Sequence, residues 1–170
     1  GLKPSHTFVD YGCGSLRLGR KIIPYLNQRC YVGIDVNMQF IEAGLENIDP
    51  EVVRTKDPVF IPLVKEKDIN SLIGKTDYLF SSAVLYHIPP NELKIFLNKI
   101  ISLLKTNGKA FIDFTASNKI QKASFTRWLY PKDEIISQLK GFDVNINFLS
   151  LKNFAEYYPK NHTIIKLEKI

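Results

Sequence analysis

A chain of 170 residues, 45% of them hydrophobic and 24% charged, is one domain by size, long enough for a single sizeable core and too apolar for a disordered polypeptide. No apolar run approaches the roughly 18 residues that cross a bilayer, and no signal peptide is visible, so a cytoplasmic protein without a membrane span is expected. The net charge of +6 is spread over scattered lysines, as in KIIPYL, KEKD, LKIFLNKI and LKTNGK; that reads as solvated faces rather than the clustered footprint of a nucleic-acid binder.

In chain order, Thr7–Asp10 reads as a short buried strand that runs into a turn. Leu16–Asn27 follows as a helix with Leu16, Ile22, Ile23 and Leu26 inward, shortened or kinked at Pro24, which lacks an amide donor. Cys30–Asp35 is a second strand. The only two cysteines, Cys13 and Cys30, make no disulfide framework, which favours a reducing compartment. Asn37 can cap a helix over Met38–Ile48 whose Phe40, Ile41 and Leu45 share one side. Pro58–Val64 is a third strand, unsuited to the sheet centre because of Pro62. Tyr78–Leu85 is a fourth, apolar enough to be covered on both faces. Leu93, Phe96, Leu97, Ile100, Ile101 and Leu104 recur at helical spacing in Pro89–Lys105, which Asn107-Gly108 ends. Lys109–Thr115 is a fifth strand, Lys132–Lys140 a helix stopped by Gly141, and Phe142–Leu149 and Thr163–Leu167 two last strands. About a dozen residues with no clear helix separate those two, so they should pair antiparallel. The alternation predicts an α/β fold: a doubly wound, mostly parallel sheet of seven strands, the last antiparallel, with helices on both faces.

Such sheets bind ligands where their strands end, near the point where strand order reverses. Asp10, Gly12, Asp35 and Asp68 all fall near strand ends. Gly12 and Gly14 permit a tight turn with bare backbone toward a ligand, and Asp35 is placed to accept from ribose hydroxyls. A dinucleotide and S-adenosylmethionine both fit that pattern. Asp10 separates them, because an acid there would repel a pyrophosphate but not a ligand carrying an ammonium and a sulfonium. Gly12-Cys13-Gly14-Ser15-Leu16-Arg17 also lacks the third glycine of the dinucleotide pattern.

VDYGCGS, YVGID, Lys67-Asp68-Ile69, SSAVLYHIP, LLKTNGKAFIDF and HTIIKLEK, in that order, resemble the motifs of class I S-adenosylmethionine-dependent methyltransferases from Thr7 to about Lys169. The resemblance implies a Rossmann-like fold and S-adenosylmethionine as cofactor. It places Asp10, Gly12, Cys13, Gly14, Ser15, Asp35, Val36 and Ser82 around the cofactor, with Asp68 and Ile69 at its adenine. No metal is expected. The family's helices ahead of the first strand are not in this sequence, so part of the acceptor pocket is expected from outside these residues.

A hydroxyl acceptor needs its proton removed, and His87, after the fourth strand, is the candidate base; it also reads as a wall of the cofactor pocket. Arg17 reads as a clamp on a carboxylate or an anionic acceptor, or as a solvated first-turn residue. Tyr86 stands beside His87 at the same edge. The cluster Ser124–Tyr130, with Arg127 and Tyr130, reads as acceptor-pocket lining or as a loop anchor. The asparagine-proline-proline-aromatic tetrad of amino-methylating nucleic-acid enzymes is absent. The expected acceptor is therefore an oxygen of a small-molecule or carbohydrate-type compound that Arg17 and Arg127 could meet if it is anionic. An RNA methyltransferase and a cofactor-binding module without turnover of its own stay open, as does the oligomeric state.

Overall fold

The computed structural model describes residues 1–64, 66–149 and 162–170, apart from the side chains of Glu66 and Lys67. The adenine-contact reading of Lys67 and most of the helix-free segment before the last strand therefore lie outside the described residues. Seven strands make one sheet: β1 (Phe8–Tyr11), β2 (Tyr31–Asp35), β3 (Val59–Pro62), β4 (Thr76–Ser81), β5 (Leu104–Thr115), β8 (Val144–Leu149) and β9 (His162–Lys169). Their order is β3-β2-β1-β4-β5-β9-β8. β9 alone runs antiparallel, to β5 on one side and to β8 on the other. Pro62 ends β3 at the sheet margin, the place where a missing amide costs no ladder bond. Strand order reverses between β1 and β4, both parallel neighbours across that point, and a cleft opens there.

Alternation along β1 sorts its side chains onto two cores. Phe8 joins Leu16, Ile23, Leu26, Tyr31 and Ile41 on one face. Val9 and Tyr11 join the other, under Leu93, Phe96, Leu97 and Ile100 of α4 (Leu93–Leu103) and Ile135 of α5 (Lys132–Gln138).

Several elements differ from the sequence expectation, each for a local reason. The first helix shrinks to α1 (Gly19–Ile22). Leu16 adopts φ +57° with its side chain fully buried, so no helix can begin there, and Pro24 stops propagation soon after. α2 (Met38–Leu45) is capped by Asn37, whose side chain accepts from the Gln39 amide at 3.0 Å. Phe40, expected inward on α2, is 55% exposed and faces the cleft instead. A helix not foreseen, α3 (Pro50–Lys56), starts from Asp49, which accepts from the Glu51 amide at 2.8 Å. β4 stops four residues short of the expected Leu85, because the chain turns away at Ser82. A two-stranded hairpin, β6 (Gln121–Ser124) and β7 (Arg127–Leu129), occupies the polar segment before α5.

α2 lies directly on the glycine turn that follows β1. A Cβ on Gly44 would stand 2.6 Å from both the carbonyl carbon and the oxygen of Ser15. In an exposed helix, Gly→Ala gains about 1 kcal/mol, but main chain in a tight turn cannot step aside. Gly44→Ala should thus destabilise the fold by roughly 1–3 kcal/mol in urea melts; a net gain in stability would mean that α2 and the turn are not in register as described.

Candidate functional site

Two short main-chain segments build the cleft. In the first, the amides of Gly12 and Cys13 both donate to the Ile34 carbonyl, at 2.7 and 3.0 Å, which folds the chain over the end of β2. Gly12 (φ +79°) and Gly14 (φ +49°) take up the left-handed backbone this requires. Asp35 secures the turn: Oδ2 accepts from the Gly14 amide at 2.8 Å and Oδ1 from the Asn37 amide at 2.9 Å. In the second segment, Ser82, Ala83 and Val84 leave β4. Ser82 Oγ and the Ala83 amide both donate to Asp113 of β5, each at 2.6 Å, and Ala83 takes φ +61°. Val84 closes against Gly12, where any Cβ would overlap its Cγ2 methyl.

Between these segments lies a cavity of ≈ 620 Å³, within the range that takes a small cofactor. Of the residues expected around a cofactor, Gly12, Cys13, Gly14, Ser15, Asp35, Val36 and Ser82 line it, and so do Arg17 and His87. Tyr11, Ile34, Phe40, Leu63, Ala83 and Val84 also line it and were not singled out by sequence. Arg17 sits in the turn before α1 rather than in its first turn, and is exposed.

The other expected residues lie off the cleft. Asp10 is buried behind the turn, accepting from the Tyr31 hydroxyl at 2.8 Å. Burial, with the Asp35 charge adding to it and the Tyr31 bond opposing, pushes its carboxyl up to about 6. Asp10 does not line the cavity, so the cofactor contact expected of it is not made by its side chain. Ile69 belongs to the core, because the 3-10 helix over Glu66–Leu72 turns it inward, and Asp68 accepts from the Val64 amide at 3.0 Å. Tyr130 is fully buried and donates to the Ile88 carbonyl at 2.5 Å. Burial, and then Glu134, push its phenol up to about 12. It is an anchor beneath the 3-10 turn that carries His87. Burial, followed by the Asp10 and Asp35 charges, raises the Cys13 thiol far above its usual range, which disfavours the nucleophilic thiolate.

His87 ends a 3-10 turn, Leu85–His87, at the cleft mouth. Its Nδ1 lies 2.9 Å from the Thr126 carbonyl at the tip of the β6–β7 hairpin. Its ring meets Tyr86 at 4.3 Å between centroids, and the Arg127 guanidinium sits 4.7 Å from the Tyr86 ring centroid. Tyr86 and Arg127 thus form a stack beside the cleft without lining it.

A family model described as a methyltransferase domain matches residues 9–110, more than half of the chain. The chain belongs to that methyltransferase family. Its fold is that of the class I S-adenosylmethionine-dependent enzymes. The domain is 24% identical over 163 residues to an uncharacterized protein of Methanocaldococcus jannaschii, covering 85% of this chain and 42% of that protein; it spans less than half the length of this curated relative. The magnesium protoporphyrin IX methyltransferase of Synechocystis PCC 6803, solved with bound SAM, has a TM-score of 0.69 at 18% identity, over 98% of this chain and 71% of the other. Geranyl diphosphate C-methyltransferase from Streptomyces coelicolor A3(2), solved with Mg2+, geranyl diphosphate and S-adenosyl-L-homocysteine, reaches 0.76 at 14% identity, over 99% and 74%. At these identities the likeness to solved structures is one of fold. Among the described residues, no helix of the methyltransferase domain is long and apolar enough to cross a membrane.

Asp10 generates a stability prediction. Its carboxyl titrates near 3.8 when unfolded and about 6 when folded, so between those values the native state holds more protons than the unfolded one. Stability therefore falls as pH rises from about 4 to 6. Asp10→Asn keeps an acceptor for Tyr31 and escapes the buried charge. The variant should gain up to about 3 kcal/mol over wild type above pH 6, with the gain fading below pH 4. Urea melts across that range test it, and a pH-independent difference would refute the assignment.

Proposed function

We propose that this domain binds S-adenosylmethionine in the cleft and moves a methyl group to an oxygen of a small-molecule or carbohydrate-type acceptor bearing negative charge, with His87 taking the acceptor's proton. The observation that carries the reading is the tie between His87 and Thr126. A carbonyl oxygen can only accept, so Nδ1 carries a proton, and in the neutral imidazole that leaves the lone pair on Nε2. A neutral imidazole fixed in that tautomer can act as a base near neutral pH.

The residues of the cleft fit the cofactor. Gly14 leaves open space where a side chain would stand, so the turn offers bare backbone. Asp35 spends one bond per oxygen on backbone amides, and a carboxylate has about four acceptor positions, so it can also take ribose hydroxyls. Val36, Phe40 and Leu63 supply an apolar rim for adenine, and Arg17 a cation for the amino-acid carboxylate. When bound, S-adenosylmethionine supplies an electrophilic methyl group on a sulfonium. The chain's part is to hold the acceptor in line, exclude water and receive the proton. Alignment alone contributes roughly 7–11 kcal/mol in such reactions.

Two variants divide the labour. Asp35→Ala should weaken S-adenosylhomocysteine binding roughly ten- to hundredfold in calorimetry, the cost of losing a charged acceptor; unaltered affinity would remove Asp35 from the cofactor site. His87→Ala should lower kcat by roughly 10²–10⁴ with S-adenosylhomocysteine affinity within twofold of wild type. The rising limb of the wild-type pH–rate profile should vanish with it. If affinity falls in step with the rate, His87 is a wall of the cleft and the base lies elsewhere.

A further inference from the structure

The cleft wall made by Ser82, Ala83 and Val84 departs sharply from β4, and nothing in those three residues dictates the departure. Ala83 stands at φ +61°, a left-handed conformation that strains an L-residue unless something holds it there. What holds it is a single carboxylate on the neighbouring strand. Asp113 is only 6% exposed and sits one step beyond the last β4–β5 pair, Ser81 with Ile112. From there its two oxygens reach the first two residues past the end of β4, taking the Ser82 hydroxyl on Oδ2 and the Ala83 amide on Oδ1. Oδ2 also lies 3.5 Å from His162 Nε2 at the start of β9.

We infer that Asp113 is a positioning residue of the cofactor cleft. It does not line the cleft. It acts by fixing the left-handed turn at Ala83, which sets Val84 against Gly12 and starts the 3-10 turn that presents His87. The β4 exit would otherwise continue as extended chain along β5, as its apolar composition favours, and carry Val84 and His87 away from the glycine turn. Charge-assisted bonds to a buried carboxylate are strong enough to oppose both that tendency and the strain at Ala83. The inference rests on the cofactor reading only for its ligand readout; the turn itself can be observed without ligand.

The test uses S-adenosylhomocysteine as probe and hydrogen exchange across residues 82–87 as a ligand-free measure. Asp113→Ala should weaken S-adenosylhomocysteine binding at least tenfold and raise exchange at the Ala83 and His87 amides. Asp113→Asn, whose amide can accept from Ala83 and donate to the Ser82 oxygen, should stay within threefold of wild type in affinity. Adding Ala83→Gly to Asp113→Ala should recover a large part of the affinity and of the protection, because glycine adopts the left-handed turn without strain. A general loss of packing would not respond to that second change. Asp113→Ser, which keeps a small polar group in the buried site but cannot span both donors, takes the place of the alanine variant if that one fails to fold. Unchanged exchange and affinity in these variants would overturn the inference, as would a loss that Ala83→Gly leaves untouched. Should the wild-type chain bind no S-adenosylhomocysteine, the cofactor assignment falls, and exchange across 82–87 still decides the role of Asp113.

Discussion

Both carboxylate oxygens of Asp35 are occupied by backbone amides from different parts of the chain, Gly14 after β1 and Asn37 at the start of α2, and the floor of the cleft depends on that double engagement. Each bond is charge-assisted, of a kind worth roughly 1.5–3 kcal/mol. Together they tie a glycine turn, which has little shape of its own, to the end of a fully paired strand. Gly44 then lets α2 press its backbone onto Ser15, so the turn is held from the side as well as from below. A segment rich in glycine is ordinarily the mobile part of a domain; here it is clamped into a fixed surface of main chain.

A second carboxylate does the equivalent task on the opposite wall. Asp35 closes β2 and Asp113 lies near the end of β5, so the two stand on either side of the reversal in strand order. Asp10, between them on β1, is different in kind. It is buried under the turn with Tyr31 as its hydrogen-bond partner, and its raised pKa records how poorly its charge is solvated there. Its side chain does not line the cavity. The three acids thus share an edge of the sheet and differ in what they do because they differ in donors: two amides for Asp35, a hydroxyl and an amide for Asp113, one phenol for Asp10.

The sheet was legible because buried parallel strands leave continuous apolar runs and their order follows from the alternation with helices. The turn residues of the first wall were legible for a similar reason, since glycines and acids at strand ends have few other uses. What escaped was set by tertiary context. Leu16 reads as an inward helical residue but holds a left-handed conformation that its buried side chain stabilises. α3 did leave a signal, an Asp49-Pro50 capping start, fainter than the apolar pattern of α2. Phe40 obeys the helical spacing used to place it, yet the first turn of α2 opens onto the cleft; Ile69, placed by its motif alone, is carried inward by the 3-10 turn. Asp113 left the faintest mark, a lone acid in the apolar run KAFIDF, and only the β4–β5 register reveals which groups it faces.

The two halves of the cleft are made of different material. The cofactor half consists of strand ends and turns clamped by carboxylates, all of it within residues matched by the family model except Asp113. The half that carries His87 is finished by the β6–β7 hairpin, beyond the matched residues, through one carbonyl bond and the stack of Arg127 on Tyr86. Fixing the imidazole by a carbonyl on a separate element means that the hairpin sets both the tautomer and the aim of the His87 ring. A change in hairpin length or sequence would then re-aim the His87 ring without disturbing Asp35 or the glycine turn. The glycine turn and Asp35, by contrast, stay under the control of the sheet, where a shift of an ångström would open the clamp on the turn.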